Sequence, residues 1–292
     1  MKRIVLITGI NGFLGSHLAK KLKSDYEVLG LEIDLKNLFR LSGESFKVYS
    51  VNNHNLDDLF KNNRIFSVVH TATVYNRIDN DVIPIIDTNI KLPITLYQLS
   101  VKYKVKLFIN TDSFFNDTRY YSYNYQKEYT LSKKQILEWL KIMQDKTKIV
   151  NMKLFHMFGP YDNPNKFIPQ LLIRLKKGEK KIDLTLGEQK RDFIYIDDVT
   201  SAFKTILDNY YKIEENFISF DVGTGKSVML KKFIIELKKL LKSTSKLNFG
   251  AIPYRENEIM FSKSNIKDLK SLGWKPQYNY KTGLKKLVES YR

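Results

Sequence analysis

Short runs of aliphatic and β-branched residues alternate with longer amphipathic stretches over the first half of the chain. IVLIT (4–8) predicts a buried strand, and the apolar spacing from Phe13 to Lys23 predicts a helix. EVLGLE (27–32), FKVYS (46–50), SVVHT (67–71), KLFIN (106–110) and KIVNMKLF (148–155) predict further strands. Helices are expected near Leu56 to Phe60, from about Val82 to Tyr103, and from about Tyr129. Strand–helix alternation of this length predicts an α/β fold, a doubly wound parallel sheet of the Rossmann type.

After MFGPY (157–161) the alternation becomes irregular. A helix is expected from Lys166 to Lys177, stopped by Gly178. IDLTLG (182–187) reads as a hairpin-like stretch leading into RDFIYIDDV (191–199), and FISFDVG (217–223) as a strand. Ser227 is expected to cap a helix ending near Leu241, and KSNIKDLKSLGWKP to form a short helix and turn. These features predict a cofactor-binding domain over residues 1–160, with 193–240 partly returning to it. A smaller α+β C-terminal lobe for substrate is then built from 161–192 and 241–292.

Composition changes this picture only by exclusion. A chain of 292 residues with 43% hydrophobic and 27% charged positions can bury a large core. No apolar run reaches the roughly 18 residues of a membrane span. The apolar start of MKRIVLITGI is short and runs into a glycine turn, as a first strand does, so a cytoplasmic protein is expected. The chain has no cysteine, which excludes disulfides and thiolate chemistry. His17, His54, His70 and His156 show no metal-binding spacing, so no metal site is expected. The net charge of +18 comes from lysines spread along the chain rather than from a basic arm. It gives no nucleic-acid interface.

The first predicted strand ends in TGINGFLG, with Gly9, Gly12 and Gly15 spaced around Asn11, Phe13 and Leu14. Glycines there permit a tight turn and let the backbone approach a pyrophosphate, and the following helix offers N–H groups to it. Glu32 ends the second strand about 20 residues on, where a carboxylate meets adenosine ribose hydroxyls. That favours NAD(H), while Lys36 and Arg40 leave NADP(H) open.

YTLSK places Tyr129 and Lys133 on one helix face. An ammonium beside a phenol is expected to lower its pKa and so suit it to acid–base work on a carbonyl or alcohol. NTDSFF, just before, supplies a hydroxyl for the reacting oxygen. Strand register favours Ser113, with Thr111 the rival.

Together TGINGFLG, VVHTAT (68–73), Asn89 in TNIKLP, the Ser–Tyr–Lys set and RDFIYIDDV resemble the extended short-chain dehydrogenase/reductases, over nearly the whole chain. The resemblance implies that Lys133 meets the nicotinamide ribose, and that Ala72 and Asn89 lie at the cofactor. It also implies a nucleoside-diphosphate sugar in the C-terminal lobe, and a homodimer through the helices near 82–103 and 129–143. His156 stands where the family usually has Asn. TVYNR (73–77), KLFHMFGPYDNPNKF (153–167), LGEQKRDFIYIDD (186–198) and RENEIMFSKSNIKDLKSLGW (255–274) resemble, more narrowly, the nucleotide-sugar 4-ketoreductases of the CDP-abequose and CDP-paratose synthase group. That implies substrate roles for Tyr75, Arg77, His156, Arg191 and Arg255. The implied reaction is hydride transfer at sugar C4, most simply reduction of a 4-keto sugar. The alternatives are a 4-epimerase or C4-oxidising dehydrogenase holding NAD tightly. A 4,6-dehydratase needs a further acid/base pair, often TDE in the family, and this chain has TDS (111–113).

Overall fold

The computed structural model describes residues 2–52, 55–75, 81–117, 120 and 125–291. It divides into two compact units. One holds the described residues up to 120 with Tyr125–Lys153 and Thr200–Phe220, and the other Leu154–Val199 and residues 221–291.

The first unit opens with β1 (Ile4–Thr8), α1 (Phe13–Leu22), β2 (Glu27–Glu32), β3 (Lys47–Ser50), α2 (Leu56–Asn62) and β4 (Ile65–His70). Then follow α3 (Ile83–Ile86), α4 (Leu92–Lys102), β5 (Leu107–Ser113), α5 (Lys127–Met143) and β6 (Lys148–Leu154). The second unit starts with β7 (His156–Phe158), α6 (Phe167–Lys176), β8 (Lys181–Leu184), β9 (Lys190–Arg191) and β10 (Phe193–Tyr195). From there α7 (Ile196–Asn209) runs into the first unit, and β11 (Phe217–Val222) joins its sheet. β12 (Val228–Met229), α8 (Leu230–Leu240), β13 (Lys246–Phe249), α9 (Lys267–Ser271) and α10 (Tyr280–Glu289) complete the chain.

The main sheet has the order β11-β6-β5-β4-β1-β2-β3. β1 runs parallel to both β2 and β4, and β4 to β5. The strand order reverses between β1 and β4, the switch point at which doubly wound sheets bind ligands. Alternation along the strands puts Leu6, Val68 and Phe108 on one face, where they pack in one cluster with Leu96 and Tyr97 of α4 and Ile136 and Leu140 of α5. The same alternation continues at the strand ends with Thr8, His70, Asn110 and Asp112, all buried. The face that is apolar in mid-sheet is therefore polar at the end where ligands bind.

Several expectations change. β5 does not stop at Asn110 but runs through Thr111–Ser113, because the polar residues there find partners inside the sheet. The helix expected over 82–103 is interrupted: Asp87–Lys91 wind as a π-helix between α3 and α4. Such a segment carries one extra residue per turn and turns side chains out of the α-helical pattern. IDLTLG is not a hairpin, since β8 pairs in parallel with β13, some sixty residues on. Ser227 does not cap α8, whose N-cap is Met229; its hydroxyl donates to the Ser262 carbonyl instead. No described helix is long and apolar enough to cross a membrane.

Candidate active site

The glycine turn after β1 is packed against its surroundings at three points. Gly9 sits at φ +63°, where a Cβ would meet the Ala72 backbone at 2.8 Å. A Cβ on Gly12 or Gly15 would lie 2.9 or 2.2 Å from the Gly9 carbonyl oxygen. Gly12 is the N-cap of α1 and offers no side-chain cap, so the first N–H groups of the helix are left for another acceptor. Glu32 tethers the turn to the end of β2: one carboxylate oxygen accepts from Asn11 N and the other from Ile33 N, both at 3.0 Å. The Asn11 side chain donates to Asn37 O and accepts from Arg40 N, and Arg40 returns a bond to Asn11 O. Bare glycine backbone, an uncapped helix start and a carboxylate at the end of β2 fit an adenine dinucleotide.

Lys133 and Tyr129, one turn apart on α5, are both buried beside the end of β5. The Lys133 ammonium lies 5.9 Å from the Tyr129 ring centroid and donates to Thr111 O at 2.8 Å. Burial brings Lys133 down to about 8, opposed by the Asp112 charge. Tyr129 departs from the expectation of a lowered pKa. Burial first, then neighbouring Tyr75, hold the phenol well above the usual tyrosine range, and only the hydrogen-bonding influence of Ser113 pulls it down. The phenol therefore keeps its proton in this environment. Tyr75 packs on it with ring centroids 4.9 Å apart. Of the two candidate hydroxyls, Ser113 is the one that lowers the Tyr129 pKa, while its oxygen accepts from Phe115 N at 3.3 Å, and Thr111 donates to His70 O at 2.6 Å.

Asn89 lies in the π-helical segment and is fully buried. Its oxygen accepts from Thr73 Oγ1 and Val74 N, and its amide donates to Val74 O and Ser132 Oγ. All four positions are thus used inside the fold, clamping the segment before Tyr75 to the helix that carries Tyr129.

The polar floor beneath α5 is the part of this region that sequence reasoning missed. Thr8 Oγ1 accepts from Thr71 N and Ala72 N, so its proton points to His70 Nδ1 at 2.9 Å. Burial, with Lys133 nearby, holds His70 neutral, down to about 3. Asn110 Nδ2 donates to Asn151 Oδ1, and Asn151 Nδ2 donates to Asp112 Oδ2 and Ser219 Oγ. The available signal was polar residues at alternate positions of NTDS, a pattern that also reads as a loop.

In the second unit, Arg191 and His156 are brought together. The Arg191 fork pairs with Glu258 at 2.6 Å, both side chains being nearly buried. His156 Nε2 lies 3.2 Å from Ser262 Oγ. Burial and then Arg191 hold its pKa well below the usual histidine value. Arg255 is exposed, in a turn where its carbonyl accepts from Glu258 N. Asp192 ties this unit internally, accepting from Thr224, Gly225 and Ser264. Arg77 lies outside the described residues, as does His54. No group of metal-ligating side chains occurs among the described residues.

A sheet of this order, with a glycine turn at its switch point and a buried tyrosine–lysine pair beside β5, defines a dinucleotide-dependent oxidoreductase class. The chain belongs to the NAD dependent epimerase/dehydratase family, whose model matches residues 5–223. It is 36% identical to a CDP-abequose synthase from Salmonella typhimurium, over 99% of this chain and 98% of that protein. It is 34% identical to a CDP-abequose synthase from Salmonella muenchen, over 97% and 96%. Among solved structures it is similar to a UDP-N-acetylglucosamine 4-epimerase from Methanobrevibacter ruminantium, with a TM-score of 0.83 and 21% identity over 100% and 99% of the two chains.

Proposed function

We propose that this chain is an NAD(P)-dependent oxidoreductase of nucleotide sugars that reduces the C4 ketone of a nucleoside-diphosphate deoxyhexose. The observation that carries this reading is the buried Tyr129 phenol, held protonated beside Lys133 on the same helix face. A dinucleotide held by the Gly9–Gly15 turn and Glu32 would supply the hydride. Tyr129 gives its proton to the developing C4 alkoxide, Ser113 donates a hydrogen bond to that oxygen, and the Lys133 ammonium balances the phenolate that remains. The relatives named CDP-abequose synthase support a CDP-linked sugar. Arg255 is assigned to the diphosphate, which a planar guanidinium fork suits, and Arg191 to it on exchange of its Glu258 partner. Tyr75, Arg77 and His156 are assigned to the sugar and its surroundings.

A dehydratase reading is weakened by the place of Asp112. Its carboxylate is spent on Ser113 N, Asn116 and Asn151 on the buried face of β5, and position 113 carries a hydroxyl rather than a carboxylate. The 4-epimerase reading is separated by one experiment. The purified chain is denatured and its released nucleotide identified, then NADH or NADPH consumption is followed with 4-keto CDP- and dTDP-sugars. Consumption only with a 4-keto sugar supports the reductase. Stoichiometric retained NAD, with interconversion of C4 epimers and no net consumption, overturns it.

Glu32 is assigned the preference for NAD(H), since a carboxylate repels a 2′-phosphate. Glu32→Ser is expected to move the ratio of NADPH to NADH efficiency about tenfold toward NADPH, about 1.4 kcal/mol. An unchanged ratio would remove Glu32 as the selector.

A homodimer is proposed through α3–α5. Leu131, Trp139 and Ile142 on α5 are exposed, Ile142 at 77%, alongside exposed Ile83 and Ile86 on α3. Trp139→Glu with Ile142→Asp is expected to give a monomer by light scattering, and a wild-type chain already monomeric contradicts the assignment.

A further inference from the structure

We infer that the first unit binds one buried water between His70 Nε2 and Asn110 Oδ1, which accepts from the imidazole and donates to the amide. The inference rests on hydrogen-bond geometry and not on the sugar chemistry.

His70 and Asn110 are register partners on the adjacent parallel strands β4 and β5, so their side chains stand side by side on one face. Each residue is only 1% exposed. Each carries an enclosed polar atom with no hydrogen-bond partner among the described residues, Nε2 of His70 and Oδ1 of Asn110. The direction of each atom follows from the bonds its residue does make. His70 Nδ1 meets Thr8 Oγ1 on β1, to one side of β4. The two ring nitrogens point nearly opposite ways, which aims Nε2 toward β5. Asn110 Nδ2 donates to Asn151 Oδ1 on β6 at 2.7 Å. The planar amide then turns Oδ1 away from β6, to the β4 side.

The polarity is fixed as well. Thr8 Oγ1 accepts from Thr71 N and Ala72 N, which uses both of its lone pairs, so it donates its own proton to Nδ1. A neutral imidazole that accepts at Nδ1 carries its proton on Nε2. One N–H and one amide oxygen therefore face the same place. A cation finds no lone pair at Nε2 and meets the charge of Lys133 nearby. An anion finds no donor at Asn110 Oδ1. A water both accepts and donates, and buried polar groups of this kind are what holds one in a fold.

With this water a hydrogen-bonded row runs unbroken in sheet order. It leads from Thr8 on β1 through His70 and the water to Asn110, Asn151 and Ser219 on β11. Every donor along it points the same way, and aligned hydrogen bonds polarise one another. Asn151 also donates to Asp112 Oδ2, so one branch of the row ends on a carboxylate. The row underlies the active-site lysine: Thr111 Oγ1 donates to His70 O, and Lys133 Nζ to Thr111 O.

Two measurements on the wild-type chain test the inference. A crystal structure that resolves ordered water should show one peak within about 3 Å of both His70 Nε2 and Asn110 Oδ1. No such peak, or direct contact between the two side chains, overturns it. Histidine-ring ¹⁵N NMR should find His70 protonated at Nε2, with cross-relaxation from that proton to a slowly exchanging water. A proton on Nδ1 overturns it. Asn110→Leu should abolish the water cross-peak, and its persistence would remove Asn110 from the site. Should Asn110→Leu not fold, the two wild-type measurements decide. None of these uses a sugar substrate, so failure of the reductase reading leaves the result standing.

Discussion

Tyr129→Phe is expected to reduce kcat by about a thousandfold or more, within the range that a positioned acid contributes. The variant removes one hydroxyl from a side chain that is only 6% exposed, and it leaves the ring contact with Tyr75 intact. Cofactor affinity should therefore change little, and thermal stability by no more than the about 1 kcal/mol of a lost hydrogen bond. The measurement is kcat and dinucleotide Kd on the same preparation. Activity near wild type would end the assignment of Tyr129 as proton donor. A companion pair separates the two hydroxyls of β5. Ser113→Ala should cost at least tenfold in kcat, because Ser113 is the hydroxyl whose influence pulls the phenol's pKa down. Thr111→Val should cost less, because its hydroxyl is committed to His70 O. The reverse order would move the catalytic hydroxyl to Thr111. The pH dependence follows from Lys133. Its pKa lies below the usual lysine value, at about 8, so reduction should hold below that pH and fall above it as the ammonium is lost.

Much of this site was legible because its chemistry depends on backbone and spacing. Gly9, Gly12 and Gly15 follow a strand that nothing but a buried run of IVLIT explains, and Tyr129 and Lys133 share a face on helical geometry alone. What was not legible depends on partners distant in sequence. NTDS looks like a loop until Asn151, forty residues on, supplies a partner for both Asn110 and Asp112. The lowered tyrosine pKa expected from YxxxK failed for the same reason: sequence spacing reports the neighbouring lysine but not the burial that raises the phenol. The parallel pairing of β8 with β13 has no local signature at all. α10 lies beyond KSNIKDLKSLGWKP, the last element the sequence predicts, and carries Gly283 in its interior. The structure gives that glycine a packing reason, since a Cβ there would reach 2.8 Å from the Phe158 ring.

Gly15→Ala should have the largest effect on the fold itself among conservative substitutions in the cofactor turn. In an ordinary helix the change would be favourable, by roughly 0.5–1 kcal/mol. Here the added Cβ would lie 2.2 Å from the Gly9 carbonyl oxygen and 3.0 Å from Ile10 Cα, both backbone atoms. Neither can swing aside as a side-chain end would. Gly9 is itself pinned, its N–H bonded to Leu31 O and its Cα side pressed on Ala72. Relief must come from lifting α1 off the sheet, which opens the contact of Leu14 and Leu18 with the core and widens the turn meant for the pyrophosphate. A destabilisation of about 2–3 kcal/mol is expected, a fall in Tm of roughly 5–10 °C. Dinucleotide affinity should drop at least tenfold even at temperatures where the variant is folded. Gly178→Ala is a control for glycine replacement without crowding: Gly178 has a positive φ, unlike Gly15, but no atom within 4 Å of where its Cβ would stand, so only backbone strain of about 1–2 kcal/mol applies and cofactor binding should be untouched. If Gly15→Ala kept both its Tm and its affinity, close helix–strand approach would not be what the third glycine of the turn provides.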